Sequence, residues 1–168
     1  MNVCEMKDNV SLGVRIVDFE PKYQPAFKSL NEEWIKAYFE MEEADRAVLD
    51  HPEENIIKKG GKILVALHHD EPVGVCALKK MDDPRYDYEM AKMAVLPKAQ
   101  GKKIGWLLGQ AVVRKAKELG ASSIYLESNT LLIPAINLYH KMGFQQISGL
   151  SSLYKRVDIR MELILDNN

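Results

Sequence analysis

Two hydrophobic rhythms alternate along the chain. Residues 13–19, GVRIVDF, alternate apolar and polar positions and predict a first strand, punctuated by Pro21 and Pro25. From Ala26 to about Asp50 the rhythm is helical, with Phe27, Leu30, Trp34, Ile35, Tyr38 and Phe39 recurring at steps of three and four. A second short helix near 42–49 precedes Pro52. The stretch 60–81, GGKILVALHHDEPVGVCALKKM, reads as two strands around a His-Asp-Glu-Pro turn. Residues 82–87, DDPRYD, read as a polar loop, and 88–96, YEMAKMAVL, as a long strand that Pro97 ends.

The cleanest helix spans 104–119. Ile104, Leu108, Ala111, Val112, Ala116 and Leu119 share a face that only Lys115 interrupts, and Gly120 suits the position just past the end. SIYLES (123–128) is a short strand. Pro134 suits the first turn of a helix carrying Ala135, Leu138, Tyr139 and Met142, with Gly143 as its stop. FQQI (144–147) and RVDIRMELIL (156–165) finish as strands. This order predicts a mixed α/β domain with a largely antiparallel sheet and crossover helices.

Composition narrows the classes. The 168 residues suit one domain over 1–168, with a core at about 13–165. Apolar residues make up 46%, and the charged 28% nearly cancel to a net charge of -1, which argues against a general nucleic-acid binder. No apolar run approaches the roughly 18 residues of a membrane helix. The N-terminal stretch lacks the apolar core of a signal peptide. Cys4 and Cys76 have no metal spacing and no disulfide pattern. The expectation is a cytoplasmic protein without a metal, with Cys76 a buried, inert thiol.

Between the apolar run 93–96 and the helix at 104 stand Gly101, Gly105 and three lysines, Lys98, Lys102 and Lys103. A strand, a glycine turn and a helix start together make an anion site, because the first helical amides have no intrahelical acceptor and the helix dipole adds positive charge. A phosphate or pyrophosphate suits it. The Walker spacing fails, since Trp106 follows Gly105, and the dinucleotide Gly-x-Gly-x-x-Gly does not fit either. The other reading is a plain strand–helix turn with solvated lysines.

The stretch VLPKAQGKKIGWLLGQAV (95–112) resembles motif A of the GNAT superfamily of N-acetyltransferases, Gln/Arg-x-x-Gly-x-Gly/Ala after a strand ending near Val-x-Pro. Val95, Pro97, Gln100 and Gly105 fit, and Lys103 stands where the family usually has its first Gly. AINLYHKMGF (135–144) resembles the second motif, Ala-Ile-x-Leu-Tyr-x-Lys-x-Gly-Phe. The resemblance covers about residues 13–165. It implies a GNAT-like fold in which the strand before motif A splays from a parallel neighbour and acetyl-CoA lies in the gap. Backbone groups of Met93, Ala94 and Val95 would then meet the pantetheine arm. Beyond Gln100, the amides of Gly101, Lys102, Lys103, Ile104, Gly105 and Trp106 would hold the pyrophosphate.

Acetyl transfer to an amine needs a proton acceptor, a donor to the developing oxyanion and a proton for the departing thiolate. Tyr139 matches the Tyr of the second motif, which makes it the candidate acid; core packing with Leu138 and Met142 is its other reading. Strand alternation places Glu89, Ala91, Met93 and Val95 on one face, and the resemblance implies that a carboxylate two turns of the pleat before the cofactor-contacting residues is the base, which makes Glu89 the candidate; the alternative is an ion pair within the sheet. Asn129 follows the strand IYLES and is a loose candidate for the cofactor, because the family's Asn position falls on Leu132; a cap or turn is its other reading. Asn137 and His140 read as surface. His68 and His69 sit in a hairpin turn without further metal ligands, and His51 covers a helix end.

The resemblance implies that the first two helices and their loop wall the acceptor groove. They carry nine acids from Glu32 to Glu54, Asp45 among them, and Trp34, Tyr38 and Phe39 as candidate aromatic walls. An acidic mouth would favour a cationic amine of a small molecule or peptide; helix charges that simply face water are the alternative. Arg156, Asp158 and Arg160 are expected on one face of the last strand, lining the groove or a homodimer contact. The whole predicts an acetyl-CoA-dependent N-acetyltransferase. The competing readings are a catalytically silent acyl-CoA sensor and a purely structural module.

Overall fold

In the computed structural model, which describes residues 13–101, 103–149 and 151–166, strand β1 (Val14–Asp18) leads into helices α1 (Gln24–Tyr38) and α2 (Glu43–Asp50). Strands β2 (Lys62–His68), β3 (Glu71–Asp83) and β4 (Tyr86–Val95) follow. Helix α3 (Ile104–Glu118), strand β5 (Ser123–Ser128), helix α4 (Ile133–Met142) and strands β6 (Gln145–Ile147) and β7 (Ile159–Ile164) come next. They form a 7-stranded sheet in the order β1-β2-β3-β4-β5-β7-β6. Its pairs are antiparallel except β4–β5. Cys4 and Lys102 lie outside the described residues.

Alternation along the strands feeds two cores. On one face Leu64, Cys76, Leu78, Ile124 and Met161 pack with Leu108 and Val112 of α3. On the other, Val65, Val75 and Ala77 pack with Phe27 and Ile35 of α1 and Leu49 of α2. Burying each such large side chain contributes about 1.5–3 kcal/mol. Among the described residues, no helix is long and apolar enough to cross a membrane.

Three sequence expectations change. The polar loop at 82–87 is a tight turn: β3 runs to Asp83 and β4 starts at Tyr86. The Asp83 carboxylate closes it by accepting the Arg85 backbone N–H at 2.8 Å. The last strand begins at Ile159, so Arg156 and Asp158 precede it and share no strand face with Arg160. Asp158 is occupied instead with the Thr130 amide and hydroxyl, both at 2.8 Å.

The third change sits in β4. The ladder pairs Val75 with Ala94 and Ala77 with Ala91, so β4 carries one residue more than β3 over this span. The extra residue is accommodated where Lys92 takes a φ of 54°. One added residue reverses the phase of the pleat. Met93 and Val95 therefore pack against the α3-side core together with Met90. Glu89 stays on the α1 side, opposite Lys79. The shared face expected for Glu89, Ala91, Met93 and Val95 breaks at Lys92.

Candidate active site

Parallel pairing of β4 with β5 lasts for two residue pairs, Tyr88 with Ile124 and Glu89 with Tyr125. Beyond them the strands part, and a cavity of about 590 Å³ opens between them. Met93, Ala94, Val95, Gln100, Gly101, Lys103, Ile104, Gly105 and Trp106 line one end, and Trp34, Tyr38, Lys79, Glu89, Glu127, Tyr154 and Arg156 the other. Tyr139 lies on its wall with Leu138.

The first end is built from backbone. The Leu96 N–H bonds to the Val73 carbonyl at 2.8 Å, so in an antiparallel ladder Val95 turns its own N–H and C=O the other way, into the gap. Ala94, paired with Val75, turns its backbone groups toward β3. The Gln100 amide donates to the Val95 carbonyl at 3.3 Å. The first bond of the α3 ladder runs from the Leu107 N–H to the Lys103 carbonyl. The amides of Ile104, Gly105 and Trp106 therefore stand before the ladder, at the positive end of the helix dipole.

Lys103 caps this helix in the left-handed region, with φ 60° and ψ 19° and no side-chain cap. That conformation explains why a glycine suits the position: a side chain there strains the backbone by roughly 1–2 kcal/mol. Gly101 also has a positive φ, 85°, with open space where a Cβ would stand. Gly105 is constrained differently, because a Cβ would come 3.3 Å from Leu138 Cδ2 on α4. Lys141 Nζ sits 4.9 Å over the Trp106 ring, and both residues line the cavity.

Tyr139 meets Phe144 edge-on at 6.1 Å, and burial pushes its phenol above the ordinary tyrosine range, which keeps the O–H in place as a donor at neutral pH. Asn129 does a turn's work: its amide donates to the Arg156 carbonyl at 2.6 Å and its oxygen accepts the Leu131 N–H at 2.8 Å. Asn137 and His140 are exposed. Among the described residues no group of acids, histidines and cysteines has metal-site geometry.

The far end is assembled from side chains of distant segments. Asp45 of α2 is fully buried. Its Oδ1 accepts Lys92 Nζ and Arg156 Nη2, both at 2.6 Å, and its Oδ2 accepts Arg156 Nη1 at 2.7 Å. The Arg156 guanidinium lies 4.6 Å from the Tyr154 ring and 5.6 Å from Trp34. Burial alone would raise the Asp45 carboxyl, but the bonds from Arg156 and Lys92 outweigh it and bring it down to about 2. Burial lowers Lys92 against the opposing pull of Asp45.

Glu89 has a side chain only 16% exposed, with Lys79 Nζ at 3.9 Å. Burial raises its carboxyl above the ordinary glutamate range, Lys79 opposes this, and Glu127 adds to it. The acidic mouth does not form here. None of the nine acids from Glu32 to Glu54 lines the cavity, and Asp45 is spent on Lys92 and Arg156. Trp34 and Tyr38 do line it, whereas Phe39 opens onto a separate groove with Met41 and Arg46. No sequence pattern marks the Asp45–Lys92–Arg156 cluster, whose members lie far apart along the chain. The legible signal for Glu127 is its place near the end of the strand SIYLES.

Residues 26–144 match the model of the Acetyltransferase (GNAT) family. Over 123 residues the chain is 32% identical to an uncharacterized N-acetyltransferase of Schizosaccharomyces pombe, covering 71% of this chain and 74% of that protein. A GNAT-family acetyltransferase structure from Staphylococcus aureus Mu50 superposes with a TM-score of 0.82 at 22% identity, covering 91% of this chain and 99% of the other. A putative acetyltransferase from Salmonella typhimurium, solved with its cofactor acetyl-CoA, superposes with a TM-score of 0.73 at 20% identity, covering 93% and 96%. With both motifs on one splayed-strand cleft and the family match spanning the core of the fold, this chain belongs to the GNAT family of acetyltransferases.

Proposed function

We propose that the protein transfers the acetyl group of acetyl-CoA directly to a primary amine of a small molecule or peptide. The observation that carries this reading is the cleft itself: unladdered amides of Ile104 to Trp106 at one end, a half-buried Glu89 at the other, and the Tyr139 phenol on the wall between. The amides and nearby Lys141 suit a pyrophosphate. The inward-turned groups of Val95 suit the amides of an extended pantetheine arm, with the Gln100 side chain yielding its 3.3 Å bond. These features fit the cosubstrate that the Salmonella neighbour holds.

The amine nitrogen bonds to the acetyl carbon and the carbon–sulfur bond breaks. Tyr139 donates its proton to the leaving sulfur, and Glu89, directly or through a water, takes the proton that the nitrogen loses. Return of that proton through solvent restores both groups. Alkylamines have a pKa of roughly 10, so a group that accepts a proton near neutral pH is needed, and a carboxyl raised by burial meets that need.

The test is thiol release from acetyl-CoA with a panel of diamines, lysine peptides and aminoglycosides, with products read by mass. Acetylated amine with stoichiometric thiol supports the reading. Tight acetyl-CoA binding without release favours the silent sensor, and no binding at all would overturn the cleft assignment.

A further inference from the structure

We propose that Glu127, facing Glu89 across the opening between β4 and β5, is a positioning residue that acts through Glu89 in receiving the acceptor's proton. The inference rests on the transfer proposed above. Its geometric basis is the place where the parallel pair ends. Glu89 is opposite Tyr125 in the last bonded register, and Glu127 stands two residues further along β5, on the same face as Tyr125. Ile124 and Leu126, the alternate residues, point into the α3-side core. Glu89 and Glu127 therefore look into the same cavity from two diverging strands, and both line it. The Tyr125 hydroxyl donates to Glu127 Oε2 at 3.2 Å and so orients that carboxylate. Tyr125 is itself held by stacking on Tyr86 at 5.3 Å.

The surroundings define what each neighbour does to Glu89. Lys79 on β3 is its cationic neighbour at 3.9 Å, too long for a good hydrogen bond. Lys92, on its own strand, is engaged with Asp45 of α2, which also holds Arg156. Tyr154 faces it from the stretch before β7, and Arg160 lies opposite Glu127 in the β5–β7 register. Glu127 is thus the anionic neighbour on the facing strand, and its charge favours the protonated form of Glu89 while Lys79 favours the ionised form. During transfer, the proton leaving the acceptor nitrogen passes to a Glu89 carboxylate oxygen. The Glu127 carboxylate on the facing strand stabilises that protonated Glu89; the proton then passes to water.

This makes the two neighbours act with opposite sign. The Glu89 carboxyl is titrated by carbon-13 NMR in the native protein and in Glu127→Gln, Glu127→Asp and Lys79→Met, beside the pH dependence of kcat/KM with the amine panel above. Glu127→Gln should move the Glu89 titration and the acidic limb of kcat/KM to lower pH together, by about one unit. Lys79→Met should move both upward, and Glu127→Asp should stay near the native profile. Melting curves check folding, and Gln keeps an oxygen for the Tyr125 hydroxyl. Normal transfer with an unmoved acidic limb in Glu127→Gln overturns this inference alone. If Glu127→Gln does not fold, Glu127→Ser takes its place, and an unmoved acidic limb in that variant overturns the inference instead. Thiol release with none of the amines by the native protein overturns the transfer and this inference with it.

Discussion

The two ends of the cleft are built on opposite principles. The end at α3 is local: Val95 to Trp106 is one contiguous stretch, and the groups it presents are backbone amides and a carbonyl. The other end draws Trp34 from α1, Lys79 from β3, Glu89 and Lys92 from β4, Glu127 from β5, and Tyr154 and Arg156 from the stretch before β7, with Lys92 and Arg156 held from outside the cavity by the buried Asp45 of α2. Backbone donors tolerate changes of side chain as long as φ and ψ persist. A cluster of buried charges does not, since each group depends on a partner far away in sequence. A binding end of the first kind suits an invariant group such as a pyrophosphate, and an end of the second kind suits an acceptor that differs between proteins of one fold.

The sharpest break of this contrast is at Gly105. Gly105→Glu adds bulk where a Cβ would already stand 3.3 Å from Leu138 Cδ2, and a negative charge where the proposed pyrophosphate would sit. Acetyl-CoA binding by calorimetry should be lost. Normal binding would show that the contiguous end is a plain turn.

The far end should break through stability. Asp45→Ala leaves Lys92 and Arg156 buried without their shared carboxylate, which should cost about 3–5 kcal/mol in denaturant unfolding. Its pH dependence has a definite sign. The folded carboxyl titrates at about 2, below its ordinary value of 3.8. The stabilisation is therefore complete above pH 4 and is lost as pH falls toward 2. In Asp45→Asn that part of the acid slope should vanish; an unchanged slope would mean that the cluster contributes no linkage.

Between the two ends, Tyr139→Phe removes one hydroxyl and keeps the ring against Phe144. Turnover should fall by about tenfold or more with acetyl-CoA affinity unchanged, given the usual reach of a general acid. Unchanged turnover would leave Tyr139 as a packing residue.

The smallest effect is expected at Lys103. Lys103→Gly relieves a left-handed φ of 60°, while glycine's greater freedom in the unfolded chain offsets part of the gain. The melting temperature should rise by the equivalent of less than about 1 kcal/mol, with acetyl-CoA binding kept. A loss of binding would instead assign the Lys103 side chain a direct role on the anion.

Sequence periodicity located every α-helix and strand of the described fold to within a few residues, because amphipathic alternation records which face each element buries. It also marked the start of α3, since a row of consecutive free amides must be written in consecutive residues, Ile104 to Trp106. It failed where a single backbone event changed the frame. The bulge at Lys92 leaves no mark in YEMAKMAVL, yet it sends Met93 to the face away from Glu89. The helix acids read alike in sequence, and only packing decided that Asp45 is buried with two cations while Glu32 and Glu40 border another groove. Whether a carboxylate faces water or a partner 47 or 111 residues away depends on which chain segments meet, and that is settled by the tertiary fold alone.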